Sequence, residues 1–155
     1  MEKEFNIWTD GSCNNNPKHS TYGVGGWAFV VEKDGRVIYE DLGYESNTSS
    51  NRMEMTAVIK SLEWALKNKS KSRFVVHSDS AYVVNCFLER WYLRWIEMEW
   101  DDVKNSDLWK KLLELYHSKL LRVKFKKVAG HKGIKNNERA DFLAGMARKY
   151  AIEDL

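Results

Sequence analysis

Glu54 stands in the stretch SSNRMEMTAVIKSLEWAL, residues 49–66, whose apolar spacing predicts a helix. At about 3.6 residues per turn, Glu54, Ala57, Val58, Ser61, Leu62 and Ala65 share one stripe, while Thr56, Lys60, Glu63 and Lys67 fall opposite. Glu54 therefore heads the face that should be buried, where an unpaired charge is costly or takes up a proton. Asn51-Arg52-Met53-Glu54 also fits a capping box, with Asn51 as cap and Glu54 reaching back to its amide. The alternative is that Glu54 points at positive charge held against the start of the helix, and that requires partners from elsewhere in the chain.

Three other carboxylates are candidates. Asp10 closes the stretch EFNIWTDGS, Asp79 follows RFVVHS, and Asp141 lies at the edge of the apolar stripe in NNERADFLAGMAR. Each has an ordinary reading: Asp10 as a turn former, Asp79 as a helix N-cap, Asp141 as a solvated side chain. His131, in VAGHKGIKNN, sits in a Gly-bearing loop between a strand and a helix. Were the four carboxylates to converge, each close pair would repel by on the order of 4 kcal/mol at an effective dielectric near 20. Such a cluster needs cations. Carboxylate oxygens without Cys or His ligands at matching spacing suit hard Mg²⁺ or Mn²⁺ rather than zinc. Two such ions, about 3.5–4 Å apart, would activate a water and steady the leaving oxygen during in-line attack on a phosphodiester.

The elements that would position these groups follow from local patterning. EFNIWTDGS alternates Phe5, Ile7 and Thr9 with Asn6, Trp8 and Asp10, a strand ending in a Gly-permitted turn. VGGWAFVV and RVIYEDLGY are two more strands, joined through the Asp-Gly of EKDG. After the Glu54 helix come RFVVHSDS as a buried strand and AYVVNCFLERWYLRWIEMEW as mostly helix. SDLWKKLLELYHSKLL is an amphipathic helix capped by Ser106. RVKFKKV is a strand, and a closing helix carries Ala140, Leu143, Ala144, Ala147 and Tyr150 on one side. Three strands followed by helix–strand alternation predict an α/β (α+β) fold, a mixed sheet with helices on its faces. If the first and fourth strands are parallel neighbours, Asp10 and Asp79 emerge at one edge, where functional groups of such sheets gather.

A chain of 155 residues reads as one domain with its own core. Two cysteines, Cys13 and Cys86, fit small apolar residues in a reducing compartment. No apolar run suits a signal peptide or a membrane span, so the expectation is a soluble cytoplasmic protein. The net charge of +3 is uneven: Lys119 to Lys149 holds ten basic residues against Glu138 and Asp141, and Lys67, Lys69, Lys71 and Arg73 precede a strand. That clustering suits a polyanion, although a solvated surface gives the same pattern.

The set WTDGSC, SNRMEM, HSDSAYV and AGHKGIKNNERAD resembles type 1 ribonuclease H, in order and over nearly the whole chain. The resemblance implies a ribonuclease H-like fold, a five-stranded mixed sheet with three antiparallel strands then parallel additions, forming a single domain over 1–155. It implies an endonuclease that cuts the RNA strand of RNA–DNA hybrids, leaving 5′-phosphate and 3′-hydroxyl ends. Asp10, Glu54, Asp79 and Asp141 stand at the family's metal-binding positions, for two Mg²⁺ ions with Mn²⁺ as substitute. His131 stands at the position of a loop histidine that assists proton transfer or product departure, and Glu138 matches an acidic neighbour of the metal site. Asn14, Asn16, Ser50 and Asn51 lie beside these motifs and are candidates for contacts to the 2′-hydroxyl across the minor groove. Nothing in the pattern demands more than a monomer.

The sequence also departs from the family. NNNPKHSTYGVGGW is longer than the usual turn, Ser50 stands where Asn is common, and Ala81 where Gln is common. Trp91, Trp95, Trp100 and Trp109 have the spacing of the family's hybrid-binding handle, where such aromatics mainly pack the protrusion together. That handle is usually lysine-rich. Here residues 89–104 carry Arg90, Arg94 and Lys104 against Glu89, Glu97, Glu99, Asp101 and Asp102, a net charge of −2. The expectation is weaker hybrid affinity, or binding that relies on the 119–149 region and Mg²⁺. Two other readings compete: a hybrid-binding module without catalysis, and a related nuclease acting on double-stranded RNA or structured DNA. Clustered acidic groups argue against the first, since a pure binder gains nothing from negative charge beside phosphate.

Overall fold

In the computed structural model, which describes residues 3–14, 23–130 and 133–154, alternation along the first strand sets the two faces of the molecule. The elements are β1 (Glu4–Asn14), β2 (Gly23–Lys33), β3 (Arg36–Thr48), α1 (Ser50–Asn68), β4 (Ser72–Ser78), α2 (Ala81–Leu88), α3 (Trp91–Glu97), α4 (Ser106–Tyr116), β5 (Leu121–Lys127) and α5 (Lys135–Glu153). They form one five-stranded sheet in the order β3-β2-β1-β4-β5. β1, β2 and β3 are antiparallel, while β4 joins β1 and β5 joins β4 in parallel. This is the mixed sheet that the sequence predicts. Asp34 and Gly35 turn the β2–β3 hairpin with φ of 51° and 79°, both in the left-handed region that a type I′ turn requires.

Phe5 and Ile7 of β1 enter the larger core, with Met53, Val58 and Leu62 of α1, Phe87 of α2, and Trp109 and Leu112 of α4. Trp8 points to the opposite face, against Ala140, Leu143 and Ala144 of α5. A period-2 strand thus sorts its side chains between two helical layers. β1 does not stop at a turn after Asp10; it continues through Gly11, which pairs with Trp27, as far as Asn14. Cys86 is buried, with its thiol pushed up to about 12 by burial, and Cys13 is half-buried, so both behave as small apolar groups.

Several local expectations are corrected. The capping box does not form: Ser49 is the N-cap of α1 and its Oγ accepts from the Arg52 amide at 3.3 Å. Asn51 falls inside the first turn and is exposed. Glu54 is therefore released from any capping duty. Thr56, expected on the solvent side, is buried, and its hydroxyl donates to the Arg52 carbonyl at 2.7 Å. α4 starts at Ser106, but Asn105 precedes it in a left-handed conformation, φ 60°, and supplies no side-chain cap. Tyr150 is exposed rather than packed beneath α5.

The predicted long helix after Asp79 breaks at Arg90, φ 55°, into α2 and α3. Glu99, Trp100, Asp102 and Asn105 are also left-handed, with φ between 54° and 62°. Left-handed backbone costs a residue with a Cβ about 1–2 kcal/mol, so neighbouring contacts must hold these turns. Aromatic packing supplies them. Trp109 is fully buried, Trp95 packs on it at 5.3 Å, and Trp100 and Trp91 lie 6.0 and 6.4 Å from Trp95. The four tryptophans thus pack the protrusion together, Trp109 within the core and the other three partly buried against it.

Candidate active site

β1 and β4 pair in parallel up to Trp8 opposite His77. Two residues further along each strand direction stand Asp10 and Asp79, so both carboxylates emerge side by side at one end of the sheet. Asp79 is not a helix cap, because Ser80 takes that role in α2 and accepts from the Val83 amide at 3.3 Å. Glu54 comes to the same place from α1. One ligand oxygen from each of Asp10, Glu54 and Asp79 can be chosen so that all lie within 4.8 Å of one another. Asp141, exposed on α5, shares a side-chain hydrogen bond with Asp10.

Gly11 makes this approach possible, a role that the sequence reading missed. A Cβ at Gly11 would lie 2.4 Å from the Glu54 amide nitrogen and 2.5 Å from the Met53 carbonyl carbon. The backbone of α1 therefore rests directly on β1, and the Gly11 backbone hydrogen-bonds the Glu54 carboxylate. The only sequence signal was a glycine directly after an aspartate, which also signals a turn. Gly130 plays a smaller part on the far side: a Cβ there would come within 2.9 Å of Asp79 Oδ2.

The electrostatics follow from burial. Asp10 is 4% exposed, and desolvation raises its carboxyl from 3.8 to about 10, helped by the Glu54 charge, hydrogen bonds to Glu54 and Asp141, and the Asp79 charge. Burial likewise raises Glu54 to about 8, against the lowering effect of its hydrogen bonds with Asp10 and Gly11. Burial and the neighbouring carboxylates thus favour the protonated form of Asp10, whose carboxyl shares a hydrogen bond with Glu54. Glu54 Oε2 is buried and has no hydrogen-bond partner. An orphaned carboxylate oxygen amid other oxygen donors, with no thiolate or imidazole in the cluster among the described residues, fits a hard divalent cation.

His77, also missed, backs this edge of the sheet. It stacks on Trp8 at 4.0 Å, its Nε2 lies 2.8 Å from Asn6 Oδ1, and burial together with nearby Lys126 lowers it to about 4. It is neutral at physiological pH and acts as packing. Of the other candidates, Asn14 is exposed at the end of β1, and Ser50 and Asn51 are exposed at the start of α1, beside Glu54. Glu138 is exposed in the first turn of α5 and is not part of the carboxylate cluster among the described residues. Asn16 and His131 lie outside the described residues.

The raised carboxyls make a testable statement about stability. Folded Asp10 and Glu54 hold protons that the unfolded chain releases above about pH 4, so their contribution is fully present below that pH. It is lost as pH rises through the window ending near 8 for Glu54 and 10 for Asp10. In EDTA, the stability of the wild type relative to Asp10→Asn should fall steadily between pH 5 and 9 in urea melts. A difference that stays flat across that range would contradict the protonated cluster.

A family model described as RNase H matches residues 2–149. A ribonuclease H of Chlorobaculum parvum is 42% identical over 154 residues, covering 96% of this chain and 98% of that protein. One from Thermoanaerobacter pseudethanolicus is 43% identical over 143 residues, covering 89% and 85%. Among solved structures, LC9-RNase H1, a type 1 RNase H with the type 2 active-site motif, has a TM-score of 0.85 at 25% identity. The match covers 97% of this chain and 74% of that one. LC11-RNase H1, solved in complex with RNA/DNA hybrid, shares the fold, with a TM-score of 0.74 at 22% identity over 96% of this chain and 99% of that one.

Proposed function

Because the chain belongs to the ribonuclease H family, a match spanning residues 2–149, we propose that it hydrolyses the RNA strand of RNA–DNA hybrids with Mg²⁺ held by Asp10, Glu54, Asp79 and Asp141. The observation that carries this reading is the meeting of three carboxylates from β1, α1 and the end of β4 around a buried, unpartnered Glu54 oxygen. Divalent ions held by these carboxylates would supply neutralising charge and a nucleophilic water for in-line attack on the phosphodiester. The residues of the chain supply placement. Ser49 caps α1, Gly11 seats it against β1, and Glu54 is held at a fixed depth beside Asp10. Asp10 would hold such an ion through its carboxylate, in its deprotonated form. Asp79 and Asp141 reach the pocket from β4 and α5, so four separate segments must fold before the pocket exists.

Ser50 and Asn51, exposed at the start of α1, and Asn14, exposed at the end of β1, present short polar side chains suited to a 2′-hydroxyl in a wide minor groove. Asn16 and His131 are assigned on the sequence resemblance, as a 2′-hydroxyl contact and as a proton-transfer or product-release group; Glu138 is a weaker neighbour. The reading includes one domain over residues 1–155, a monomer, and a cytoplasmic location. Among the described residues, no helix is long and apolar enough to cross a membrane.

Labelled RNA–DNA hybrid, double-stranded RNA and double-stranded DNA, each incubated with Mg²⁺, Mn²⁺ or EDTA, test the proposal. Cleavage of the hybrid's RNA strand alone, leaving 5′-phosphate and 3′-hydroxyl ends and stopping in EDTA, is the expected outcome. Hybrid that is bound but uncut with either metal, or cut equally in EDTA, would refute it.

A further inference from the structure

We propose that the protrusion formed by α3 and residues 98–105 is a docking surface for a basic, apolar segment of a partner protein. This goes beyond hybrid hydrolysis and uses none of the catalytic carboxylates. Four large apolar side chains lie exposed within eleven residues: Leu88 at 60%, Leu93 at 52%, Ile96 at 51% and Met98 at 42%. Leu93 and Ile96 are three apart and share the outward side of α3, whereas Tyr92 is buried and Trp91 and Trp95 pack toward the core. Water would not select such a cluster, and apolar groups rimmed by charge mark contact surfaces.

The charge around them specifies the partner. Glu89, Glu97, Glu99, Asp101 and Asp102 are all exposed, against Arg90, Arg94 and Lys104. Residues 89–104 thus form an acidic island of net −2 in a chain of net +3. Phosphate backbones and anionic lipid surfaces are repelled by this patch, so the complementary occupant carries lysine or arginine beside apolar anchors. An amphipathic helix laid along Leu93 and Ile96 has that character. The surface is also prearranged. Five left-handed non-glycine residues, Arg90, Glu99, Trp100, Asp102 and Asn105, shape the protrusion. Beneath them, Asn105 is fixed by Arg52 at 3.2 Å and by Tyr82 at 3.1 Å, and Arg52 is paired with Asp107 at 2.8 Å. A partner would meet a formed surface and would not have to order it.

The test uses the full chain and three synthetic helical peptides of about 18 residues: Leu/Lys, Leu/Glu with the same spacing, and Ser/Lys. Tryptophan fluorescence and calorimetry report binding. The Leu/Lys peptide should bind at least about tenfold more tightly than either of the others, because both apolar contact and positive charge are needed. Leu93→Ser with Ile96→Ser should weaken it by about tenfold, and Glu97→Lys with Glu99→Lys by a similar factor. Circular dichroism confirms that both variants are folded, since these side chains point into solvent. Equal binding of the Leu/Glu peptide, or Leu/Lys binding unmoved by the serine variant, would overturn the proposal. So would sedimentation showing that Leu93 and Ile96 mediate self-association, or loss of hybrid affinity in the serine variant, which would assign the patch to nucleic acid. Peptide binding is read without cleavage, so a failure of hybrid hydrolysis leaves this result separately readable.

Discussion

Asp10→Asn is expected to lower the hydrolysis rate by at least about 10³-fold, equivalent to roughly 4 kcal/mol of lost transition-state stabilisation. Asp10 is the most deeply placed member of the cluster and the one that Glu54, Asp79 and Asp141 all act upon. Asparagine keeps its shape but removes the charge that binds a cation, and it puts an amide where a second oxygen donor is needed. The same change should make the metal-free protein more stable, by about 1–2 kcal/mol near pH 8, because buried Asp10 must take up a proton on folding whereas asparagine is neutral already. Single-turnover cleavage of labelled hybrid and urea melts in EDTA measure the two effects. Opposite signs are the signature of a site built for a cation. If Asp10→Asn lost both activity and stability, Asp10 would be a structural residue, and the cluster would need another explanation.

How much of this was open to sequence reading depends on how far each effect reaches along the chain. The acidic positions were legible because each marks the end or start of an element that its own neighbours define: alternation before Asp10, the apolar run before Asp79, the helical stripe holding Glu54. The parallel pairing of β1 with β4 was only a condition on which the meeting of Asp10 and Asp79 depended, and the fold supplies it. Capping was not legible. Ser49, Ser50 and Asn51 are all residue types that can accept an amide proton as N-cap, and the winner is set by where β3 delivers the chain, not by local preference. The breadth of the buried face of α1 was underestimated for a similar reason. α1 lies between the sheet and α4, so Met55, Thr56 and Ile59 are covered along with the predicted stripe. The left-handed residues from Arg90 to Asn105 carry no glycine to announce them; four tryptophan side chains hold them, and only the folded contacts reveal it. His77 looked like any strand residue until β1 placed Trp8 beside it.

Gly11→Ala isolates the contact that brings Glu54 to Asp10. The new methyl would sit 2.4 and 2.5 Å from backbone atoms of α1 and 2.9 Å from Glu54 Cα, and none of these can rotate away. Either α1 lifts off the sheet or β1 bends, and both separate Glu54 from its partners. A displacement of order 1 Å at a site of this kind costs about 10²-fold in rate, and overpacking a closed contact costs about 1–3 kcal/mol in stability. Two other glycines supply the comparison. Gly130→Ala would meet mainly the Asp79 carboxylate oxygen at 2.9 Å, the far end of a side chain that can swing, so its loss should be smaller. Gly145→Ala meets nothing within 4 Å inside α5, and should leave activity unchanged while raising stability by about 0.5–1 kcal/mol. The expected order of activity loss is Gly11 well above Gly130, with Gly145 at zero. Cleavage assays on the three variants, with melting to confirm that each is folded, give that order directly. A Gly11→Ala enzyme as fast as Gly145→Ala would mean that the position of Glu54 against β1 does not matter to the chemistry.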